Sequence, residues 1–185
     1  MSLSLGATYL GEGRCHFLVW APRAGKVEVH VVGPSDRTVV MERQEHGYHQ
    51  LLAEGVPPGT RYFYQLDGKT ERPDPASHYQ PEGVHGPSEV VDLTFKWSDS
   101  GWEGLGLADY IIYELHVGAY TDRGTFEAVI LRLDGLCGLG ITAIELMPVA
   151  QFPGARNWGY DGAFPFAVQN SYGGPNGLKE LVGAC

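Results

Sequence analysis

The sequence predicts a multidomain chain of β plus α/β class, in which an immunoglobulin-like β-sandwich precedes an incomplete unit of parallel strands and helices. Two observations lead to this fold class. Short runs that alternate apolar and polar residues recur through the first half of the chain, separated by glycine and proline, as in β-sandwiches. In the second half, two apolar runs flank a segment with helical spacing, which is typical of a β–α–β unit. We therefore expect a sandwich over residues 1–96, a junction over 97–109 and a second unit over 110–185.

Composition limits the classes of function that the chain can serve. Its 185 residues are 43% hydrophobic and 19% charged, as in ordinary globular proteins. The formal net charge of -9 repels phosphate backbones and anionic membranes, so we expect neither nucleic acid nor a membrane as a partner. Three cysteines without metal-like spacing and an amino end without a signal-peptide pattern favour a cytoplasmic protein. The histidines form no ligand cluster, so we expect no metal and no cofactor.

Alternating runs predict the strands of the sandwich. In Lys26–Val32 the valines face one way and the polar side chains face the other, so one face of the strand is dry. Arg61–Leu66 is closed by Asp67-Gly68, a hairpin signal because both turn positions favour positive φ. Further strands are predicted at Arg14–Trp20, Thr38–Met41, Tyr48–Leu52 and Val90–Phe95.

Four aromatic residues in these runs have two interpretations. Flat rings stack on the faces of pyranose sugars, so they could bind carbohydrate. Large aromatic side chains mostly fill cores, which favours a structural role in the core or on the sheet surface. The four residues are Phe17, Trp20, Tyr62 and Tyr64.

Two segments connect the predicted sandwich to the second unit. Arg72–Ser88 (RPDPASHYQPEGVHGPS) is too rich in proline for a helix or a sheet, so it is expected to run extended over a surface. Residues 97–109 (WSDSGWEGLGLAD) are polar and glycine-rich, which is typical of a domain boundary.

The second unit is predicted to begin a (β/α)8 barrel. Tyr110–Val117 is a buried strand, Thr125 offers a helix N-cap, and helical spacing continues from there until Gly140 ends the helix. Ile141–Met147 is the next strand, and helical spacing resumes from Gly177. A complete barrel takes roughly 250 residues, so we expect only its first third here.

A candidate site follows the second of these strands. A loop rich in glycine, proline and aromatic residues comes after Ile141–Met147, and α/β folds place their chemistry in loops at the carboxyl ends of strands. The acidic residues Glu114 and Glu145 lie on the two neighbouring strands and could form a pair. Since both lie within strands rather than in loops, a structural role is favoured for them.

Three motifs resemble the α-amylase superfamily of glycoside hydrolases. TAIELMPVAQFPGARNWGYDG with FPFAVQNSYGGPNGLKELV resembles the second barrel strand and its loop, and YELHVGAYT resembles the first strand. The proline-rich stretch Arg72–Ser88 resembles the malto-oligosyltrehalose trehalohydrolase family more than glycogen branching enzymes or isoamylases. The resemblance covers essentially the whole chain and includes the amino-terminal sandwich.

The resemblance implies hydrolysis of the α-1,4 bond next to the terminal trehalose of maltooligosyltrehalose, so this sugar or a related α-glucan is the expected partner. The family's retaining mechanism uses a carboxylate nucleophile and a carboxylic acid. The resemblance assigns both to later strands beyond Cys185, so no catalytic residue is expected in this chain and the chain alone should be inactive.

The resemblance also implies the substrate-binding residues of the loop. Tyr160 would stack on the sugar that precedes the cleaved bond. Asn157 and Asp161 would bind sugar hydroxyls, and Trp158 would support Tyr160 from behind.

Two other functions remain open at this point. The parent could be a branching or debranching enzyme of α-glucans. Alternatively, the sandwich could be a non-catalytic carbohydrate-binding module, because the chain contains 10 Tyr and 4 Trp.

Overall fold

The computed structural model describes residues 4–33 and 36–185. Its amino-terminal strands are β1 (Gly6–Gly11), β2 (Arg14–Trp20), β3 (Val27–Val32), β4 (Arg37–Val40), β5 (Glu42–Arg43), β6 (Tyr48–Ala53), β7 (Arg61–Leu66), β8 (Thr70–Arg72) and β9 (Ser88–Glu89). They form two antiparallel sheets, one in the order β1-β2-β6-β5 and one in the order β4-β3-β7-β8, with β9 also paired to β7.

The two sheets share one apolar core, which the alternating runs supply. Val27, Val29 and Val31 of β3 are all buried, as the sequence pattern predicted. Phe17 of β2 packs edge-on against Tyr62 of β7 with ring centroids 4.9 Å apart. The structural interpretation of the aromatic residues is therefore confirmed for Phe17, Tyr62 and Tyr64, whereas Trp20 is exposed.

The hairpin between β7 and β8 turns at Asp67-Gly68, as predicted. Both residues have positive φ, 51° and 65°. The Asp67 carboxylate also accepts hydrogen bonds from the backbone N–H groups of Gly25 and Lys26, both at 2.9 Å. The turn therefore ties the loop that enters β3 to the end of the neighbouring strand.

The proline-rich segment between β8 and β9 is neither helix nor strand, as predicted, but it is not simply a surface segment. Asp74 is fully buried and accepts a hydrogen bond from the Tyr62 hydroxyl at 2.6 Å and one from the Ala76 N–H at 2.8 Å. Burial raises the pKa of Asp74, and these hydrogen bonds oppose the rise. Its backbone N–H donates to Ser88 Oγ, so the segment is pinned at both ends.

Three details of the sandwich differ from the sequence prediction. The last strand covers Ser88–Glu89, so the prediction of a strand at Val90–Phe95 was wrong. Alternation alone does not reveal β1, whose register with β2 shifts near Tyr9. The strand β5 has only two residues, too few for a periodic signal.

The second half of the chain contains the predicted β–α–β unit. In chain order the elements are β10 (Ile112–Leu115), α1 (Val117–Tyr120), α2 (Phe126–Ile130), α3 (Leu133–Gly138), β11 (Ala143–Leu146), β12 (Ala150–Gln151), β13 (Phe164–Val168) and α4 (Gly174–Ala184). The strands β10 and β11 pair in parallel with Ile112 opposite Ala143, and β12 and β13 form an antiparallel pair.

The helix predicted after Thr125 is two helices. Thr125 Oγ1 accepts the Ala128 N–H at 3.3 Å, which confirms the N-cap. The predicted continuity was wrong, because the Arg132 N–H bonds to the Val129 carbonyl three residues back and so tightens the turn between α2 and α3. Gly140, with φ of 86°, closes the segment as expected.

A second apolar core lies behind the parallel strands. It contains Phe126 of α2, Phe152, Tyr172 and Leu181 of α4, all buried. Polar contacts join this half to the sandwich: the Asn170 amide donates to the Pro81 carbonyl at 3.0 Å. Among the described residues, no helix is both long and apolar enough to cross a lipid bilayer.

The predicted junction is open to solvent. Residues 97–109 are exposed throughout, including the large apolar side chain of Leu107. Residues 110–114 are exposed as well, including Ile111 and Ile112, so the prediction of a buried strand over Tyr110–Val117 was wrong: of the residues of β10 only Leu115 is buried. The strand β10 pairs only with β11 in the part of the chain that the structure describes, so its other edge has no partner there.

Candidate functional site

All four predicted site residues lie in one loop, which joins β12 to β13. This loop differs from the expected one, because β12 intervenes between the parallel strand β11 and the loop. Sequence reasoning missed the β12–β13 pair, since β12 has only two residues. The loop still follows the carboxyl end of β11, where an α/β fold carries its chemistry.

Asn157 organises the loop through its side chain. Its Oδ1 accepts the Gly159 N–H at 2.7 Å, and its Nδ2 donates to Asp161 Oδ2 at 3.1 Å. The pair predicted to bind sugar hydroxyls is thus joined within the protein. The other carboxylate oxygen of Asp161 takes no part in this bond, and the residue is exposed.

Gly159 allows the loop to approach the chain that leaves β11. Its φ is 99°, a conformation that L side chains rarely adopt. A Cβ atom at this position would lie 2.5 Å from the Pro148 carbonyl oxygen, far closer than van der Waals contact. A glycine is therefore required by both the backbone conformation and the available space.

His116 lies at the carboxyl end of β10 and holds the loop in place. Its Nε2 donates to the Asn157 carbonyl at 2.6 Å, so the proton is on this nitrogen. Its ring packs edge-on against Trp158, with centroids 5.7 Å apart. The buried Nδ1 has no hydrogen-bond partner among residues 4–33 and 36–185. His116 was not among the site residues predicted from the sequence; its position at the end of the first parallel strand was the available signal.

Tyr172 lies next to His116. Its hydroxyl lies 3.3 Å from His116 Nε2, and its ring packs against Phe152 and Phe126 at 5.7 and 6.0 Å. Burial raises the pKa of Tyr172, with an opposing effect from a hydrogen bond with the Gly118 backbone. His116 is therefore held by a group of packed aromatic rings.

Two buried glutamines hold the start of the loop. Gln169 accepts the Phe152 N–H through Oε1 and donates to the Gly154 carbonyl through Nε2, both at 3.0 Å. Gln151 accepts the Asn170 N–H at 2.9 Å. Because buried amides must satisfy their hydrogen-bonding groups, these bonds specify one path for the loop.

Two aromatic rings project from this rigid loop into solvent. Tyr160 is 70% exposed and Trp158 is 71% exposed. Exposed aromatic rings on a rigid loop are suited to stacking on a flat, weakly polar surface. Trp158 packs edge-on against His116, whereas the described ring contacts include none for Tyr160, although the two residues are equally exposed.

The two acidic residues of the parallel strands do lie side by side. Glu114 and Glu145 are opposite each other in the register of β10 and β11, and both are exposed. Neighbouring strands are about 4.8 Å apart, so the two carboxylates are within reach of each other. The described residues show no hydrogen bond to either one, and no group of three metal-ligating side chains gathers here or elsewhere among them.

Comparison with known sequences connects this architecture to α-glucan enzymes. Residues 4–80 match carbohydrate-binding module 48, the isoamylase N-terminal domain. A malto-oligosyltrehalose trehalohydrolase of Saccharolobus solfataricus is 49% identical over 173 residues, which are 94% of this chain and 30% of the relative. The chain thus spans about 30% of the length of this curated relative.

Two solved structures have a backbone similar to that of this chain. A candidate alpha amylase from Salmonella typhimurium superimposes with a TM-score of 0.91 at 40% identity, covering 100% of this chain and 31% of that one. A pullulanase from an Anoxybacillus species, complexed with maltotetraose, gives a TM-score of 0.77 at 27% identity over 97% of this chain and 32% of that one.

Identity is therefore higher to the trehalohydrolase than to the pullulanase. The chain matches the amino-terminal portion of malto-oligosyltrehalose trehalohydrolases, and its amino-terminal sandwich matches carbohydrate-binding module 48.

Proposed function

We propose that this chain supplies one wall of the sugar-binding cleft of an enzyme that hydrolyses the α-1,4 bond next to the terminal trehalose of maltooligosyltrehalose. The observation that carries the proposal is the exposed Tyr160 ring on a loop that Asn157, Gly159 and His116 hold in place. In this role the chain binds and orients substrate. The nucleophile and the acid come from other strands of the complete enzyme, so the chain alone does not release trehalose.

The proposed division of the chain assigns residues 1–96 to a carbohydrate-binding-module-like sandwich, 97–109 to a junction and 110–185 to the start of a (β/α)8 barrel. Two separate apolar cores support this division. The parallel register of β10 and β11 supports the barrel, as does the exposed apolar edge of β10, where a further strand would pair. All three cysteines are free, which is consistent with the reducing cytoplasm that we propose as the location.

Tyr160 would act on the transition state as well as on binding. Its flat ring can stack on the sugar before the cleaved bond and favour the positive charge of a developing oxocarbenium ion. Attraction of a cation to an aromatic face is worth about 0.5–1 kcal/mol at exposed sites and about 2 kcal/mol when water is excluded. Asp161 would bind a sugar hydroxyl through its free oxygen, and Asn157 would act mainly by positioning the loop.

A chimeric enzyme tests the proposal. This chain replaces the matching portion of the S. solfataricus trehalohydrolase, and trehalose release from maltooligosyltrehalose is measured. We expect release by the chimera and none by the chain alone. Tyr160→Ala should lower kcat/KM roughly 10- to 30-fold, the equivalent of about 1.4–2 kcal/mol, while Tyr160→Phe keeps most activity because it keeps the ring.

Three results would count against the proposal. A folded chimera that transfers or debranches glucan chains without releasing trehalose would support the branching or debranching alternative. Equal kcat/KM for the parent chimera and its Tyr160→Ala variant would remove Tyr160 from the substrate cleft. Trehalose release by the isolated chain would show that its own carboxylates, Glu114 and Glu145, are sufficient.

A further inference from the structure

The proline-rich segment Arg72–Ser88 has no role in the proposed function, although it distinguished the sequence from branching enzymes and isoamylases. We call this segment the connector. It runs from the end of β8 to the start of β9, so both of its ends belong to the sandwich. Between these ends it contacts the half of the chain that carries the Tyr160 loop. The connector is therefore in a position to link the sandwich to the candidate site.

Buried polar groups fix the course of the connector. Ser88 Oγ accepts the Asp74 N–H at 2.9 Å and the side-chain amide of Gln80 at 2.5 Å, and all three residues are fully buried. The Asp74 carboxylate also accepts the hydroxyl of Tyr62 in β7 at 2.6 Å. Any other path would break these bonds and leave buried polar groups without partners, which is costly. The sandwich core therefore determines where Gln80 lies.

The next residue of the connector binds the second half of the chain. The Pro81 carbonyl accepts a hydrogen bond from Asn170 Nδ2 at 3.0 Å. A turn holds this carbonyl in place, because the Gly83 N–H donates to the Gln80 carbonyl at 3.1 Å. The buried side chain of Gln80 and this turn together fix the acceptor that Asn170 binds.

Asn170 also binds the two glutamines that hold the start of the Tyr160 loop. Its Oδ1 accepts Gln169 Nε2 at 3.2 Å, and its backbone N–H donates to Gln151 Oε1 at 2.9 Å. Gln169 in turn binds the backbone of Phe152 and Gly154, where the loop begins. One residue thus binds the connector through its side-chain nitrogen and the supports of the loop through its other polar groups.

The connector and the loop are not packed tightly beside this bond. A cleft of about 420 Å³ lies between them, with Tyr79 on the connector side and Gly154 on the loop side. The Tyr79 ring makes a second contact at the start of α4, where a Cβ atom on Gly174 would lie 2.7 Å from its Cε2. Since a cleft separates the connector from the loop itself, the bond between Asn170 and Pro81 carries the link between them.

We propose that Asn170 is a positioning residue through which the sandwich fixes the base of the Tyr160 loop. The buried groups of the connector place the Pro81 carbonyl, Asn170 binds it, and Gln169 and Gln151 extend this network to the loop. Contiguous hydrogen bonds of this kind can couple distant parts of a protein, and mutation tests the coupling. The effect on catalysis rests on the proposed function, whereas the effect on the loop does not.

Hydrogen exchange of the full chain tests the coupling at a distance. Ser88→Ala removes the acceptor shared by Asp74 and Gln80, far from the loop in sequence. The Phe152 N–H reports on the base of the loop and the Gly159 N–H on the part next to Tyr160. Both should exchange about tenfold faster in Ser88→Ala, the order of change expected when a buried hydrogen bond is lost. Unchanged exchange of both amides would overturn the proposal.

A second variant breaks the link at Asn170 itself. Asn170→Asp keeps the size of the side chain and its acceptor oxygen, but it replaces the donor with a carboxylate oxygen that the Pro81 carbonyl repels. It should speed exchange of the same two amides and leave the amides of β3 unchanged, which shows that the sandwich stays folded. Equal exchange in Asn170→Asp and the unmodified chain would contradict the proposal even if Ser88→Ala does not fold.

Val19→Ala is the matched control for a general loss of stability. Val19 is a buried residue of β2, in the sheet that does not contain β7 or β8. The variant should weaken the sandwich and leave exchange of Phe152 and Gly159 unchanged. If Val19→Ala speeds their exchange as much as Ser88→Ala does, the effect does not pass through the connector and the proposal fails.

The chimeric trehalohydrolase separates positioning from a purely structural role. Asn170→Asp should lower kcat/KM several-fold when Tyr160 is present and have little further effect in a Tyr160→Ala background, because positioning acts through the ring. Additive effects of the two substitutions would show that Asn170 does not act through Tyr160. If exchange changes as expected but the chimera releases no trehalose, the proposed function fails and the positioning of the loop by Asn170 stands.

Discussion

The glycine at position 159 offers a direct test of how the candidate site is held. Replacing Gly159 by alanine forces an L residue to adopt φ of 99° and places a Cβ atom 2.5 Å from the Pro148 carbonyl oxygen. The positive φ alone costs about 1–2 kcal/mol. Overpacking against a backbone atom, which cannot rotate away, raises the expected total to about 2–5 kcal/mol.

Gly154 provides the matched control within the same loop. It also has positive φ, 76°, but a Cβ atom there would have no neighbour within 4 Å. Gly154→Ala should therefore cost only the conformational part, about 1–2 kcal/mol. Comparing the two variants isolates the effect of the contact between the loop and Pro148.

Urea denaturation followed by circular dichroism measures the free energy of unfolding of both variants. If the loop moves and the free energy of unfolding does not fall, hydrogen exchange of the loop amides detects the movement, because the Gly159 N–H is bound to Asn157 Oδ1. We expect a larger loss of stability or of loop protection for Gly159→Ala than for Gly154→Ala. Equal effects in the two variants would refute the close approach to Pro148 and with it the rigid placement of Tyr160.

Two further predictions concern pH and solubility. Burial lowers the pKa of His30, but its hydrogen bonds with Asp36 and Glu71 outweigh burial and raise the pKa overall. The stability that protonated His30 contributes should therefore be present below pH 6.5 and be lost as the pH rises through the raised pKa. Urea denaturation between pH 5 and 9 checks this, and an unchanged profile in His30→Gln would contradict it. The exposed apolar edge of β10 should cause the isolated chain to aggregate. In size-exclusion chromatography, Ile112→Lys should increase the monomer fraction more than Val182→Lys, which alters an exposed residue of α4; a monomeric wild-type chain would refute the prediction.

Local chemistry explains which elements were predictable from the sequence. The valines of β3, the Asp67-Gly68 turn and the Thr125 cap each depend on a few consecutive residues, and the structure confirms all three. The division between α2 and α3 was not predictable, because the helical spacing of apolar residues continues across Arg132, where the backbone tightens. The short strand β12 depends on its pairing with β13, which lies more than ten residues further along the chain.

The candidate site, like the fold, was predictable from the sequence only in part. The sequence by itself determined that a loop with exposed aromatic residues follows the second parallel strand, since that pattern is continuous along the chain. Only the tertiary structure decided that His116 and Tyr172 support this loop, because His116 and Asn157 are 41 residues apart and meet through the pairing of β10 with β11.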